Sequence, residues 1–145
     1  MIKKLFLIVT FTLLLSGCTS KEYEEITFSS WGSITEVKIT KEILSDFEKQ
    51  NPDIKVNFMH IPQNYFQKLH LLFVTESAPD VIFINNQYLP IYAKYLENIN
   101  HLIDKNEYYK ASIDALSHKG HLLAIPRDIS NLVLYINKDL LPQYK

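Results

Sequence analysis

Two short polar segments carry the side chains with which this chain could bind a small molecule. Residues 29–33 contain three serines and the only tryptophan, Trp31, and residues 85–88 contain two asparagines, a glutamine and a tyrosine. Hydroxyls and amides donate and accept hydrogen bonds, and aromatic rings cover apolar surfaces. These residue types favour recognition of a neutral polar ligand.

The sequence lacks the motifs that mark common enzyme chemistry. It has no Gly-x-Ser-x-Gly turn, no phosphate-binding glycine loop and no His-Glu-x-x-His motif. Of the five histidines, only His118 and His121 are close in sequence, and no acidic residue lies in the turn between them. Since a zinc site needs at least three protein ligands, we expect a protein that is not an enzyme and holds neither a cofactor nor a metal.

Residues 1–17 read as a secretion signal. Lys3 and Lys4 give a positively charged start, and residues 5–15 form an apolar run. That run is too short to span a bilayer of about 30 Å as a helix. We therefore exclude this segment from the predicted fold.

Residues 15–18 have the sequence Leu-Ser-Gly-Cys and resemble the lipobox of bacterial lipoproteins. The resemblance implies cleavage after Gly17, attachment of lipid to the Cys18 thiol, and anchoring on the extracytoplasmic face of the cell membrane. Residues 18–25 are polar and charged, which predicts a short tether. The alternative is an ordinary secretion signal with an incidental cysteine.

Strand and helix patterns alternate over the next part of the chain. Strands are predicted over residues 26–29, 54–59 and 81–84, and helices over residues 35–50 and 64–75. The second strand alternates apolar and polar residues, as edge strands do, whereas the third is continuously apolar and suits burial on both faces in the middle of a parallel sheet. The helical connections favour right-handed crossovers and a parallel α/β sheet in the order 2-1-3.

In that order the direction of winding reverses between the first and third strands. Doubly wound sheets bind ligands in the crevice at such a reversal, outside the carboxyl ends of the strands. Residues 29–33 and 85–88 follow these two strands, so the sequence predicts a binding crevice between the two segments.

The remainder of the chain has weaker periodicity. Short helices are predicted over residues 89–95, 99–103 and 108–116, and strands over residues 121–125 and 132–136. With 47% hydrophobic residues, a net charge of -1 and one cysteine, the chain reads as a single globular unit without an intramolecular disulfide. The small net charge gives no indication of nucleic-acid binding.

Five segments, in the same order, resemble the extracellular solute-binding proteins of sugar ABC importers. They are the lipobox and residues 28–31, 47–56, 78–81 and 120–139. The resemblance implies a periplasmic-binding-protein-like (type II) α/β fold, in which two lobes close on a sugar. Residues 26–145 would supply an incomplete first lobe with a mostly parallel sheet.

The implied function is that of the substrate-binding lipoprotein of a carbohydrate ABC importer, truncated after its first lobe. Its partners would be a sugar or other polar small solute and the importer's membrane subunits. The alternatives are a non-binding remnant of a truncated gene and a binder of a phosphorylated or other polar solute.

The resemblance also assigns binding residues by position. Trp31 would stack on a sugar ring, while amides, hydroxyls and charged groups would bind its hydroxyls. These hydrogen-bonding residues are Ser30, Asn85, Asn86, Gln87, Arg127, Asp128, Ser130 and Asn131.

Several of these residues have a structural alternative. Trp31 is also suited to capping the core at a strand end, and Asn85 and Asn86 are suited to capping the following helix. Arg127 and Asp128 are adjacent, and a surface ion pair between them would contribute less than about 1 kcal/mol. Asp80, next to Pro79, is expected to stabilise a turn.

Overall fold

The computed structural model describes residues 23–130, 133–137 and 139–140. These residues belong to two compact units, which divide after Phe83. No helix in these ranges is long and apolar enough to cross a membrane. The signal segment, Cys18 and most of the predicted tether lie outside the described residues.

The first unit is a parallel three-stranded sheet with two helical crossovers. Its elements are β1 (Glu24–Ser30), α1 (Ile34–Gln50), β2 (Ile54–His60), α2 (Tyr65–Val74) and β3 (Val81–Ile82). The strand order is β2-β1-β3, and both pairings are parallel. The order predicted from the sequence and the edge position of β2 are therefore confirmed.

The register of the sheet brings aromatic rings together on one face. Phe28 of β1 lies opposite Phe58 of β2 and Val81 of β3. The Phe28 ring lies 5.7 Å from that of Phe58 and 5.3 Å from that of Phe83, between ring centroids. Leu69 of helix α2 is fully buried.

Helix α1 begins one residue before the predicted start because of its cap. The Ser33 side chain accepts a hydrogen bond from the Glu36 backbone N–H, and the Glu36 carboxylate accepts one from the Ser33 N–H. This reciprocal arrangement satisfies two of the free donors at the start of a helix. Asn51 ends the helix, with its N–H and side-chain amide both donating to the Phe47 carbonyl.

Two carboxylates satisfy backbone N–H groups of the sheet. Glu48 Oε1 accepts from the Val56 N–H at 2.8 Å, and Asp80 Oδ2 accepts from the Thr27 N–H at 2.8 Å. The bond from Val56, followed by a hydrogen bond from Lys55, lowers the pKa of Glu48 below its usual value. The Asp80 contact is structural, but it joins the side chain to β1 instead of stabilising the turn that the sequence predicted.

The third strand differs from its prediction. β3 contains two residues rather than four, and it lies at an edge of the described sheet, not in its middle. Val81 is 50% exposed, so the strand is not buried on both faces. Among the described strands, β3 pairs only with β1, whereas the seven-residue β1 pairs on both sides.

The second unit is built from short elements. They are α3 (Leu89–Tyr92), two 3₁₀ helices (Ala93–Tyr95 and Lys105–Glu107), α4 (Lys110–Ala115), β4 (Ser117–His118) and β5 (His121–Leu122). Its buried apolar side chains are Leu89, Tyr92, Ile113 and Leu122. Strands β4 and β5 form an antiparallel hairpin, and Lys119 and Gly120 both have the positive φ that a tight two-residue turn requires.

Three predicted elements are wrong in this unit. Residues 99–103 form turns instead of a helix, and the strand predicted over residues 121–125 ends at Leu122. Residues 133–137 form no strand, and Tyr135 among them is 91% exposed. An apolar run is compatible with a strand, but the strand requires a hydrogen-bonding partner, and none pairs with these residues in the described part of the chain.

Candidate functional site

Four aromatic side chains cluster around the loop that follows β1. The ring centroid of Trp31 lies 4.9 Å from that of Tyr65, 5.5 Å from Phe66 and 5.4 Å from Phe83. We call these four residues the aromatic cluster. It lies at the carboxyl end of β1, the edge at which parallel sheets bind ligands.

The cluster is fixed to the sheet through the backbone of Ser29. The Ser29 carbonyl accepts hydrogen bonds from the Phe83 N–H at 2.9 Å and from the Tyr65 hydroxyl at 3.2 Å. Tyr65 is buried, so its ring supports Trp31 from the interior of the unit. One carbonyl thus positions two of the rings that contact Trp31.

Trp31 is partly buried in the loop that follows β1. Its three neighbouring rings lie at interplanar angles of 74°, 51° and 75° to the indole. None of them stacks parallel to the indole. Trp31 therefore caps the core and also belongs to the carboxyl edge of the sheet, so its assignment as a stacking platform stays a prediction.

The serines that precede Trp31 are more buried than the sequence suggests. Ser29 is 0% exposed and Ser30 is 2% exposed. The Ser29 Oγ atom has no hydrogen-bond partner among the described residues. Ser30 stays a predicted ligand contact, although its burial limits how a ligand could reach its hydroxyl.

His60 is a residue of this loop region that the sequence analysis did not single out. It is the last residue of β2, opposite Ser30 in the register, and its Nε2 atom lies 3.0 Å from the Gly32 carbonyl oxygen. The ends of neighbouring parallel strands converge on one edge of the sheet, so the position of His60 at the end of β2 already suggested that it lies near the loop after β1. Its contact with Gly32 depends on the pairing register, which the sequence pattern alone does not supply.

The predicted amide residues lie in the second unit. Asn85 accepts a hydrogen bond from the Tyr88 N–H through its side chain, and its carbonyl accepts from the Leu89 N–H, so it stabilises the entry to α3. This is a structural role in the turn before α3, but the N-cap residue of α3 is Tyr88, so Asn85 does not cap the helix itself. Asn86 and Gln87 are exposed. Since residues 29–33 belong to the first unit and residues 85–88 to the second, the crevice between them stays a prediction.

The charged pair predicted after Pro126 forms an ion pair. Arg127 Nε donates to Asp128 Oδ2 at 2.6 Å, and both side chains are exposed. This is the surface arrangement that the structural alternative described. Ser130 is exposed, and Asn131 lies outside the described residues.

No group of three or more histidine, cysteine or acidic side chains that could hold a metal ion occurs within the described ranges. His118 and His121 lie directly opposite one another across the β4–β5 hairpin. Two imidazoles fall short of the three or four protein ligands of zinc sites.

Comparison with known proteins gives consistent matches. The family model of the bacterial extracellular solute-binding proteins matches residues 31–145. An uncharacterised protein of Thermotoga maritima, encoded in the bglA 3′ region, is 31% identical over 101 residues, which cover 66% of this chain and 99% of that protein.

Solved structures of sugar-binding proteins are also similar. An ABC substrate-binding protein of Listeria monocytogenes, in complex with cycloalternan, is 31% identical with a TM-score of 0.60, over 69% of this chain and 28% of its own. The sugar-binding protein MalE of Xanthomonas citri is 30% identical with a TM-score of 0.63, over 70% of this chain and 28% of its own.

The matched region thus spans little more than a quarter of these two solved proteins. The family model nevertheless covers most of the present chain, and its match begins at Trp31 of the aromatic cluster. The family model and the similarity to the two solved structures agree. The chain belongs to the family of bacterial extracellular solute-binding proteins.

Proposed function

We propose that this chain is part of the substrate-binding lipoprotein of a carbohydrate ABC importer, and that the aromatic cluster contacts the sugar. The observation that carries the proposal is the position of Trp31, partly buried among three other rings at the carboxyl end of β1. The names of two relatives, one in complex with cycloalternan and one called sugar-binding, support a carbohydrate as the ligand.

The chemistry of such a contact is simple. One face of a sugar ring exposes C–H groups and is apolar enough to pack on an indole, while the hydroxyls at its rim need donors and acceptors. Trp31 supplies the apolar contact in this proposal. The residues proposed to bind hydroxyls are Ser30, Asn85, Asn86, Gln87, Arg127, Asp128, Ser130 and Asn131.

The described residues are proposed to form one wall of the binding cleft. The matched region covers 28% of the two sugar-binding relatives, and small-molecule sites bury about 70–90% of their ligand. One wall leaves much of a sugar in water. We therefore expect this chain by itself to bind sugars with at best millimolar affinity, which corresponds to about -4 kcal/mol.

The sugar contact can be tested with ligand-detected saturation-transfer NMR, which reports millimolar binding. A panel of mono- and oligosaccharides is measured against the wild type, Trp31→Ala and the control Tyr109→Ala, in which an exposed tyrosine of the second unit is removed. Loss of aromatic stacking weakens binding by about 1–3 kcal/mol, by analogy with stacked bases. Trp31→Ala is therefore expected to lose the transfer signal while Tyr109→Ala keeps it.

Two results would contradict the proposed sugar contact. One is the absence of a signal from every sugar with the wild-type chain, and the other is an equal signal in Trp31→Ala. The first result would favour a non-binding chain or a different solute. The second would locate the sugar away from the aromatic cluster.

The proposal also includes a lipid anchor at Cys18, supported by the lipobox-like sequence of residues 15–18. Two acyl chains on one cysteine provide the two hydrophobic signals that stable membrane attachment requires. Cells expressing the chain are labelled with a clickable fatty acid. We expect label on the wild type and none on Cys18→Ala, which should also leave the membrane fraction; equal membrane retention of both would contradict the anchor.

A further inference from the structure

The structure assigns to His60 the role of a positioning residue for Trp31. His60 ends β2, and its Nε2 atom lies 3.0 Å from the carbonyl oxygen of Gly32, the residue that follows Trp31. The contact joins the end of one strand to the loop after its neighbour. This inference rests on the proposed function, since it concerns the ring that is proposed to contact the sugar.

The chemistry of the contact defines which ring nitrogen carries the proton. A carbonyl oxygen can only accept a hydrogen bond, so His60 Nε2 must donate. The neutral ring is therefore the Nε2–H tautomer. Nε2 also carries a proton in the imidazolium form, and the bond to Gly32 is compatible with both charge states.

The His60 ring is itself held in place. Its backbone is part of the parallel pairing with β1, opposite Ser30, and the Ile61 N–H next to it donates to the Ser30 carbonyl at 2.9 Å. The ring lies nearly parallel to that of Phe58, at 25° and 6.4 Å between centroids. His60 thus offers the loop a fixed donor.

Gly32, whose carbonyl accepts this bond, has an unusual backbone conformation. Its φ of 140° is a backbone conformation that other residues rarely adopt, and a Cβ atom there would lie 3.2 Å from Glu36 Oε2. The next residue, Ser33, is fixed by the cap of α1. Trp31 therefore lies between β1 on one side and, on the other, Gly32, whose carbonyl contacts His60 and which precedes the capped residue Ser33.

From this geometry we conclude that the His60–Gly32 hydrogen bond limits the motion of the loop and hence of the Trp31 indole. A ring that is already oriented loses less conformational entropy when a ligand binds. His60 would then act on sugar binding through Trp31, without contacting the sugar.

The first test needs no substitution. The ¹⁵N chemical shifts of the His60 ring in the wild-type protein report which nitrogen carries the proton, and we expect the Nε2–H tautomer at a pH where the ring is neutral. A predominant Nδ1–H tautomer would show that the bond to Gly32 is not made and would overturn the inference.

The second test uses the only tryptophan of the chain as a local probe. His60→Leu removes the donor, His60→Gln keeps an N–H donor at a similar distance, and His70→Leu is a matched control at an exposed histidine on α2. Acrylamide quenching of Trp31 fluorescence is expected to rise about twofold in His60→Leu, because a loop held by fewer bonds opens more often. His60→Gln and His70→Leu should remain close to the wild type.

Near-UV circular dichroism reports how rigidly the Trp31 ring is held, and urea unfolding shows whether each variant is folded. A positioning role predicts a weakened tryptophan band in His60→Leu that His60→Gln restores. Unchanged quenching and circular dichroism in a folded His60→Leu would overturn the inference, as would a His60→Gln variant that behaves like His60→Leu. Because no sugar is present, these results are independent of the saturation-transfer experiment with sugars, so failure of the proposed function is detected separately.

Discussion

Replacing Ser29 by alanine is expected to leave the protein as stable as the wild type or to make it more stable, although Ser29 is fully buried. Its Oγ atom has no hydrogen-bond partner among the described residues, so the hydroxyl has lost its water without gaining a bond. Its backbone carbonyl, by contrast, accepts bonds from Phe83 and Tyr65, which the substitution leaves in place.

The expected magnitude follows from two opposing effects. A buried polar group without a partner costs about 1–3 kcal/mol, which alanine would recover. Alanine is less favourable than most residues in a strand, and the whole range of strand propensities spans about 1 kcal/mol. The free energy of unfolding should therefore change by between zero and a gain of about 3 kcal/mol.

Tyr65→Phe, in contrast, is expected to destabilise the protein, because it removes a hydrogen bond to the Ser29 carbonyl oxygen. It removes the hydroxyl that donates to the Ser29 carbonyl at 3.2 Å and preserves the ring that packs against Trp31. The carbonyl keeps its bond from the Phe83 N–H, so no acceptor is left unsatisfied. Loss of one such hydrogen bond should lower the free energy of unfolding by about 0.5–1.5 kcal/mol.

Urea unfolding followed by Trp31 fluorescence measures both variants, with linear extrapolation to water. The slope of the transition should be the same in all three proteins, because the buried surface is the same. A loss of more than about 1 kcal/mol in Ser29→Ala, beyond the range of strand propensities, would refute the reasoning. It would mean that the hydroxyl makes a stabilising bond in solution.

Three further predictions concern other parts of the two units. The lowered pKa of Glu48 gives a stabilising contribution that is present above the ordinary pKa of 4.5 and is lost as the pH falls through the folded-state pKa. Glu48→Gln should therefore be less stable than the wild type at pH 7, and parallel urea titrations should show a smaller difference at pH 3. The Asn100 side chain forms hydrogen bonds with Gly120, Leu122 and Lys105. Asn100→Ala should therefore lower the free energy of unfolding by about 1–3 kcal/mol and speed hydrogen exchange at the Leu122 amide. Unchanged exchange would contradict this role. Ile43 on α1 is 63% exposed, so Ile43→Lys should leave the urea midpoint unchanged and reduce any self-association seen by sedimentation. A clear loss of stability would show that the side chain is buried in solution.

Long, strongly patterned elements could be predicted from the sequence because their burial pattern is a local property. The alternation in β2 predicted its edge position, and the helical spacing and flanking signals located α1 and α2 to within one or two residues. The order of the three strands then followed from that edge position, and their parallel pairing from the helical crossovers. These inferences needed no knowledge of distant contacts.

The second unit was harder to predict because side-chain hydrogen bonds decide its short segments. Asn98 Oδ1 accepts the Asn100 N–H at 3.1 Å, which forms a local turn where the sequence predicted a helix over residues 99–103. Asparagine offers the backbone this alternative to helical bonding. The strand after Gly120 is likewise limited to two residues, since its partner β4 contains only two.

The candidate site was predictable at the level of the sheet edge and not at the level of its contacts. Trp31 was identified from its position after a strand, but Tyr65 and Phe66 come from the start of α2, and their contact with Trp31 depends on how that helix crosses the sheet. His60 was missed because its contact with Gly32 depends on the register of two strands rather than on a motif.

The sequence posed a choice between Trp31 as a core cap and Trp31 as a ligand platform, and we propose that the residue combines both roles. Contacts with Tyr65, Phe66 and Phe83 hold the indole at steep angles, and none of these rings lies parallel to it. A freely exposed tryptophan would have to be ordered when a sugar binds, at a cost in side-chain entropy. An indole held by contacts with other rings has already lost much of this side-chain entropy on folding. The packing that makes Trp31 structural would then also lower the entropy cost of stacking on a ligand.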